Sequence, residues 1–341
     1  MKREINTNAN RLSHSNSSLW LKERNINFSA KYLLIIFSFS MCFFYTVKAQ
    51  NACNIDTLES YLLNLKKKNP ANAYANYGLA SIEFNRGNYK EAARMAQKNI
   101  KRQNDFDTAC TILYARSLDM LGKYDKATEV YKKASKKYFN SPELWYYYAF
   151  TLYKTGKIPQ SQETLEKSIR ISPFFPLAHY LMGYCLFENN NNKACLQAFL
   201  FGILCDRDTS RTIKILQLMN YYILNQMDSI NIPYFDNRLS MKSVDDLIYY
   251  NFNKDSQLNF YLSFIPEIFI NNLLPYLKID NSSNLYSYFF SNLQKKDLEK
   301  AFCYYCLKNI PKKDVQYWYF NNNTILDQLA DFFDTFLTKP F

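Results

Sequence analysis

Apolar side chains recur along this chain at helical spacing, and the runs are cut at regular intervals by the same short polar motif. Leu58, Tyr61, Leu62 and Leu65 lie three or four positions apart and share one face of a helix, which ends at Lys66-Lys67-Lys68-Asn69-Pro70. Beyond that helix the motif appears as Gly87-Asn88-Tyr89-Lys90-Glu91-Ala92, Gly122-Lys123-Tyr124-Asp125-Lys126-Ala127 and Gly156-Lys157-Ile158-Pro159-Gln160-Ser161. A fourth copy without glycine is Asn190-Asn191-Asn192-Lys193-Ala194-Cys195. The first positions of these copies are 35, 34 and 34 residues apart, and a period near 34 predicts one stacked helix pair per unit.

Each unit then consists of an apolar helix, a short turn and a second helix. Glycine suits the turn because a helix end commonly needs a positive φ, and Asn190 is the usual substitute. Five positions on, Ala92, Ala127, Ser161 and Cys195 are small, as a close helix crossing requires. Pro142 and Pro176 fall at first helical positions, with Ser141 as an N-cap. The expected organisation is all-α: a capping helix within 50–72, helix pairs at 73–107, 108–141, 142–175 and 176–208, and a divergent helical domain over 209–341. In that last domain helical stretches are expected at 213–224, 258–269, 285–293, 298–307 and 325–337. Asp297 to Leu307 reads there as the second helix of a degenerate repeat, with Ala301 as its small residue.

These units resemble the tetratricopeptide repeat family. In the third, Trp145, Tyr148, Ala149, Leu152, Gly156 and Pro173 fall on that family's Trp, Leu, Gly, Tyr, Gly and Pro positions. The fourth has Met182, Gly183, Leu186 and Phe199 in order, with His179 in the Trp slot, and the first two units are looser but in register. The resemblance implies a right-handed superhelix whose first helices line a concave groove. The matching positions are Tyr74, Tyr77 and Phe84; Ile112, Arg116 and Asp119; Tyr146, Phe150 and Tyr153; and Tyr180, Tyr184 and Phe187. Two readings of this aromatic wall stay open: a binding groove for a protein, a peptide or a glycan, or a surface covered by the chain's own C-terminal helices.

Charge and composition add a setting. The first 31 residues are polar and basic, the stretch Tyr32 to Val47 is uncharged over 16 residues, and Val47-Lys48-Ala49 ends small. That order predicts a secretory signal removed after Ala49, or else an N-terminal membrane anchor. The ending Ala49-Gln50-Asn51 resembles exported proteins of the Bacteroidetes bacteria, so the expected location is the periplasm or envelope. From Gln50 onward the net charge is +7, concentrated in the repeats, where Lys132, Lys133, Lys136 and Lys137, and Arg94, Lys98 and Lys101, recur at helical spacing. These stripes read as solvated helix faces, with anionic lipid as the alternative contact and nucleic acid excluded by the exported setting.

Candidate chemistry is sparse. Six glycines in 341 residues leave little for a phosphate-cradling loop, and two histidines, one of them inside the leader, leave no histidine pair for a metal or relay. Cys303-Tyr-Tyr-Cys306 has redox-pair spacing but lies inside a helical pattern without further zinc ligands nearby. His179 is expected in the core, and Cys195 in the small-residue slot. Asp245 and Asp246 are consecutive and point to different faces. No catalytic set, cofactor site or metal site emerges. The expected function is a non-catalytic protein-interaction scaffold of the cell envelope. The alternatives are a peptide- or glycan-binding module, and an enzyme with its site in residues 209–341.

Overall fold

The computed structural model describes residues 55–100, 106–224, 241–243, 245–246, 264–278 and 285–337, and every regular element among them is helical. The expected leader at 1–49 lies outside the described residues. No described helix is long and apolar enough to cross a membrane. A cap helix α1 (Ile55–Lys68) precedes four pairs. These are α2 (Ala73–Asn85) with α3 (Tyr89–Ile100), α4 (Asp107–Met120) with α5 (Tyr124–Lys137), α6 (Pro142–Lys154) with α7 (Ile158–Ile171), and α8 (Pro176–Glu188) with α9 (Asn192–Cys205). Then follow α10 (Thr209–Leu224), α11 (Pro266–Leu277), α12 (Leu285–Gln294), α13 (Glu299–Cys306), α14 (Lys313–Asn321) and α15 (Asn323–Leu337).

One turn joins every pair. Gly87, Gly122, Gly156 and Asn190 all have φ between 56° and 87°, the left-handed region that favours glycine. Each donates its N–H to the carbonyl three residues back, and the next residue donates to the carbonyl five back: Gly122 to Asp119 at 3.0 Å and Lys123 to Leu118 at 2.9 Å, for example. This closes carbonyls that the helix end would leave unpaired. Asn72, Ser141 and Asn191 cap α2, α6 and α9 by accepting from the N–H three residues on.

The small residues sit where the helices cross. Ala92, Ala127, Ser161 and Cys195 are fully buried, and Ser161 Oγ donates to Ala149 O of the facing helix at 2.8 Å. On α1 the outward residue is Tyr61, whereas Leu62 turns inward onto Gly78, whose missing side chain makes room for it. The stripe expected there is therefore narrower than its spacing implies.

A fifth pair with the same turn lies in the C-terminal region. Asp297 has φ 54°, donates to Gln294 O at 3.1 Å, and Leu298 donates to Leu293 O at 3.1 Å. The turn joins α12 to α13, where Ala301 is fully buried, as expected for a degenerate repeat. Two expectations need correction. The helix placed at 258–269 is described only from Pro266 onward and runs to Leu277, and α14 has no counterpart in the sequence reading.

Packing is uneven along the chain. The first two pairs hold separate small cores around Leu62 and Leu79, Ala80 and Phe84, and Leu118 and Tyr131. One continuous core begins at Tyr146 and runs through α8, α9, α10 and α11 to Phe336 of α15.

Candidate functional site

The aromatic wall is built by spacing. Tyr146, Phe150 and Tyr153 stand at i, i+4 and i+7 on α6, so their rings line up, with centroids 6.4 and 6.5 Å apart. All three are buried. Tyr180, Tyr184 and Phe187 repeat the stripe on α8 and are buried too. The chain's own residues cover them. Tyr180 lies over Gly202 of α9 and donates its hydroxyl to Asp206 at 3.1 Å. Tyr184 meets Phe199 edge-on at 5.3 Å, and Phe187 stacks on Tyr222 of α10 at 4.7 Å. Over the fourth pair the cover is α9, the pair's own second helix, at Tyr180 and Tyr184, and α10 at Phe187.

The first two pairs differ. Tyr74 and Tyr77 are half-buried around Phe106, at 6.1 and 5.7 Å between centroids. Phe84, Ile112 and Asp119 are buried. Arg116, half-buried, holds its guanidinium between the rings of Phe84 and Tyr147, at 4.6 and 4.2 Å.

Beside Arg116 lies a polar station that the sequence did not announce. Lys154, in the last turn of α6, has only 1% of its side chain exposed and donates to Asp119 Oδ2 at 2.6 Å and to Met241 O at 2.9 Å. Burial pushes the Asp119 carboxyl up, against the pull of Lys154, and pushes the Lys154 ammonium down, against the pull of Asp119. Arg116 Nη2 approaches Lys242 O at 3.5 Å, and Lys242 Nζ sits over the rings of Phe84 and Tyr89. A second cluster ties the same short segment to α10: Arg211 donates to Asp206 at 2.6 Å and to Asp245 at 2.7 Å. A lysine in a last helical turn ordinarily serves the helix dipole, so nothing local marked Lys154.

The remaining candidates are interior groups. His179 is fully buried. Its Nε2 lies 2.7 Å from Pro173 O and its Nδ1 2.9 Å from the Tyr286 hydroxyl. A carbonyl can only accept, so Nε2 carries the proton and Tyr286 donates to Nδ1. Burial pushes the imidazole down to about 4, with the Pro173 carbonyl opposing. Cys303 and Cys306 are buried free thiols held up by burial, as are Cys110, Cys185 and Cys195. Among the described residues no cluster of ligating side chains could hold a metal ion. The basic stripes are exposed, and Arg94–Glu91 and Lys133–Glu129 pair along their own helices; Lys101 lies outside the described residues.

Comparisons with known proteins agree with the repeat. Tetratricopeptide repeat profiles match residues 120–183 and 59–107. No curated protein matches the sequence significantly. Among solved structures, a MamA protein from Desulfovibrio magneticus RS-1, residues 41 to the end, is 21% identical over 46% of this chain and 86% of its own, with a TM-score of 0.38. YrrB, a tetratricopeptide protein with an unusual peptide-binding site, is 17% identical over 45% of this chain and 79% of its own, at 0.34. Human IFIT1, as a dimer with PPP-AAAA, is 17% identical over 79% of this chain and 57% of its own, at 0.43. The family profiles thus find tetratricopeptide repeats at 59–107 and 120–183, and the described residues form an all-α fold of consecutive helix pairs.

Proposed function

We propose that the chain is a non-catalytic protein-interaction scaffold of the bacterial cell envelope, exported under the leader at residues 1–49. The observation that carries the interaction role is the stack of helix pairs itself, with tetratricopeptide profiles matching both the first repeat and the second-to-fourth region. Such a stack presents a long inner face assembled from equivalent positions. The partner is a protein or peptide, received on the half-open inner face of the first two pairs at Tyr74, Tyr77 and Arg116. The basic stripes on α3 and α5 remain exposed for contact with anionic lipid at the envelope.

Affinity capture from envelope extract tests the interaction role, with Tyr74→Ala and Tyr77→Ala as controls. Both residues are half-buried, so the variants are expected to fold. A protein captured by the wild type should bind directly when purified and lose at least tenfold in affinity for the double variant. Equal binding to both would remove the inner face from the proposal. Intact mass of the natively produced protein tests export, and a chain recovered in the cytosol with Lys2 to Ala49 intact would overturn it.

A further inference from the structure

Helices alternate in direction along the repeats, so the turns within pairs share one edge of the stack and the joints between pairs share the other. The two edges differ in charge. Along the turns both signs are exposed, with Glu91 and Asp125 close to Lys90 and Lys123. Along the joints the last turns of α5 and α7 hold Lys136, Lys137 and Arg170 and no acid, and the exposed Arg207 follows α9. The acids nearest these joints are engaged: Asp107 with Lys137 at 3.5 Å, and Glu143 with the Ser141 hydroxyl at 3.1 Å. Cations in a last helical turn serve the helix dipole, and by themselves they would mark nothing.

The dipole does not account for the apolar side chains set among them. Phe139 is 60% exposed, Phe174 40% and Ile171 37%. At the first joint the fold uses the backbone of Phe139 and not its ring, since Trp145 Nε1 donates to the Phe139 carbonyl at 2.8 Å. At the second joint Phe175 turns inward onto Tyr146, with centroids 5.3 Å apart, while its neighbour Phe174 faces out. Beside Phe139 an open hollow of about 290 Å³ is lined by the polar groups of Thr108, Lys137, Asn140 and Ser141. Outward rings alternating with ammonium and guanidinium groups suit the boundary of a bilayer, where cations meet headgroups and rings reach the acyl layer.

We propose that the joint edge of the second to fourth pairs docks on an anionic lipid surface. Phe139, Ile171 and Phe174 enter the acyl boundary, and Lys136, Lys137 and Arg170 meet the headgroups, one of which the hollow beside Phe139 can receive. This rests on the envelope setting proposed above and narrows its lipid contact from whole helix faces to one edge. Single-stranded nucleic acid, the other polyanion, is gripped along a groove whose ring faces are free for stacking. Here the aliphatic Ile171 stands with rings that crown separate joints, an arrangement matched to a continuous apolar layer behind negative charge. Docking by this edge leaves Tyr74, Tyr77 and Arg116 on the inner face uncovered for a protein partner.

Tryptophans introduced into the full chain read the contact. Phe139→Trp and Phe174→Trp keep an outward ring, so both should fold. Their added fluorescence should fall at least twofold on vesicles of phosphatidylcholine and phosphatidylglycerol whose acyl chains carry bromine, and should be unchanged on brominated phosphatidylcholine alone. Lys136→Glu with Arg170→Glu should abolish the quenching, whereas Lys90→Glu with Lys157→Glu on the turn edge should leave it. Tyr317→Trp, an exposed ring on α14, should stay unquenched. Absence of quenching at both joints would overturn the proposal. So would equal quenching at Tyr317→Trp, which would mean collapse of the chain onto the bilayer, or a response of Phe139→Trp to oligothymidine and not to anionic vesicles. The quenching is read at the edge whether or not residues 1–49 anchor the chain, and it needs no partner. Failure to capture a protein from envelope extract would therefore sink the scaffold reading and leave this result standing.

Discussion

His179 shows how a single slot can set a pH response. Its folded value near 4 lies below the ordinary 6.5, so between those values the unfolded chain binds a proton that the native imidazole refuses. Stability from this group is full above pH 6.5 and is lost as pH falls toward 4, at about 1.4 kcal/mol per unit and about 3 kcal/mol in all. Denaturant unfolding at pH 7, 6 and 5 should therefore show a shallower decline for His179→Gln than for the wild type, even though the variant is less stable at pH 7. Parallel slopes would assign the decline to other groups. A different single-residue effect belongs to Gly122, where no atom lies within 4 Å of the side chain it lacks. Gly122→Ala is strained only by its φ of 73° and should cost about 1 kcal/mol. A thermal melt checks it.

At the scale of helices, the crossing and the turn make separate demands. Ala127 is fully buried at the meeting of α4 and α5, so Ala127→Leu should overpack it by about 1 to 3 kcal/mol, read as a lowered midpoint in a urea titration. Asp297 is the reverse case. It occupies the left-handed position that glycine fills in three other turns, and Asp297→Gly should raise stability by up to about 1 kcal/mol in the same titration. Such turns explain what could be read in advance. Four pairs were legible because glycine or asparagine marks each turn, and because a small residue follows at one fixed distance. The fifth turn was half-hidden, since an aspartate there looks like any surface acid and its small residue, Ala301, comes one position early. Cover over Phe187 was left open because α10 is apolar without a repeat pattern to orient it. Lys154 was missed for a stronger reason: its partner Met241 is brought to it only by tertiary folding.

From Ile55 onward the described residues form a graded stack rather than a uniform one. Small separate cores hold the first two pairs, whereas the third and fourth share one core with the C-terminal helices. In a stack where each pair contacts chiefly its neighbours, stability is nearly a sum over pairs, so the amino-terminal side should open first. The buried thiols turn this gradient into chemistry. Cys110 lies in the second pair, Cys185 and Cys195 in the fourth, and Cys303 and Cys306 in the fifth, and burial suppresses the thiolate of each. Under native conditions Cys110 should react with a soluble disulfide reagent at least tenfold faster than Cys195 or Cys303, as resolved by peptide mapping. Simultaneous reaction of all three would show a single cooperative opening. Were the chain placed in an oxidising compartment, each of these five buried thiols would become available for cross-linking only when its own stretch of the stack comes apart, so a cross-link through one of them would record which part of the protein has failed.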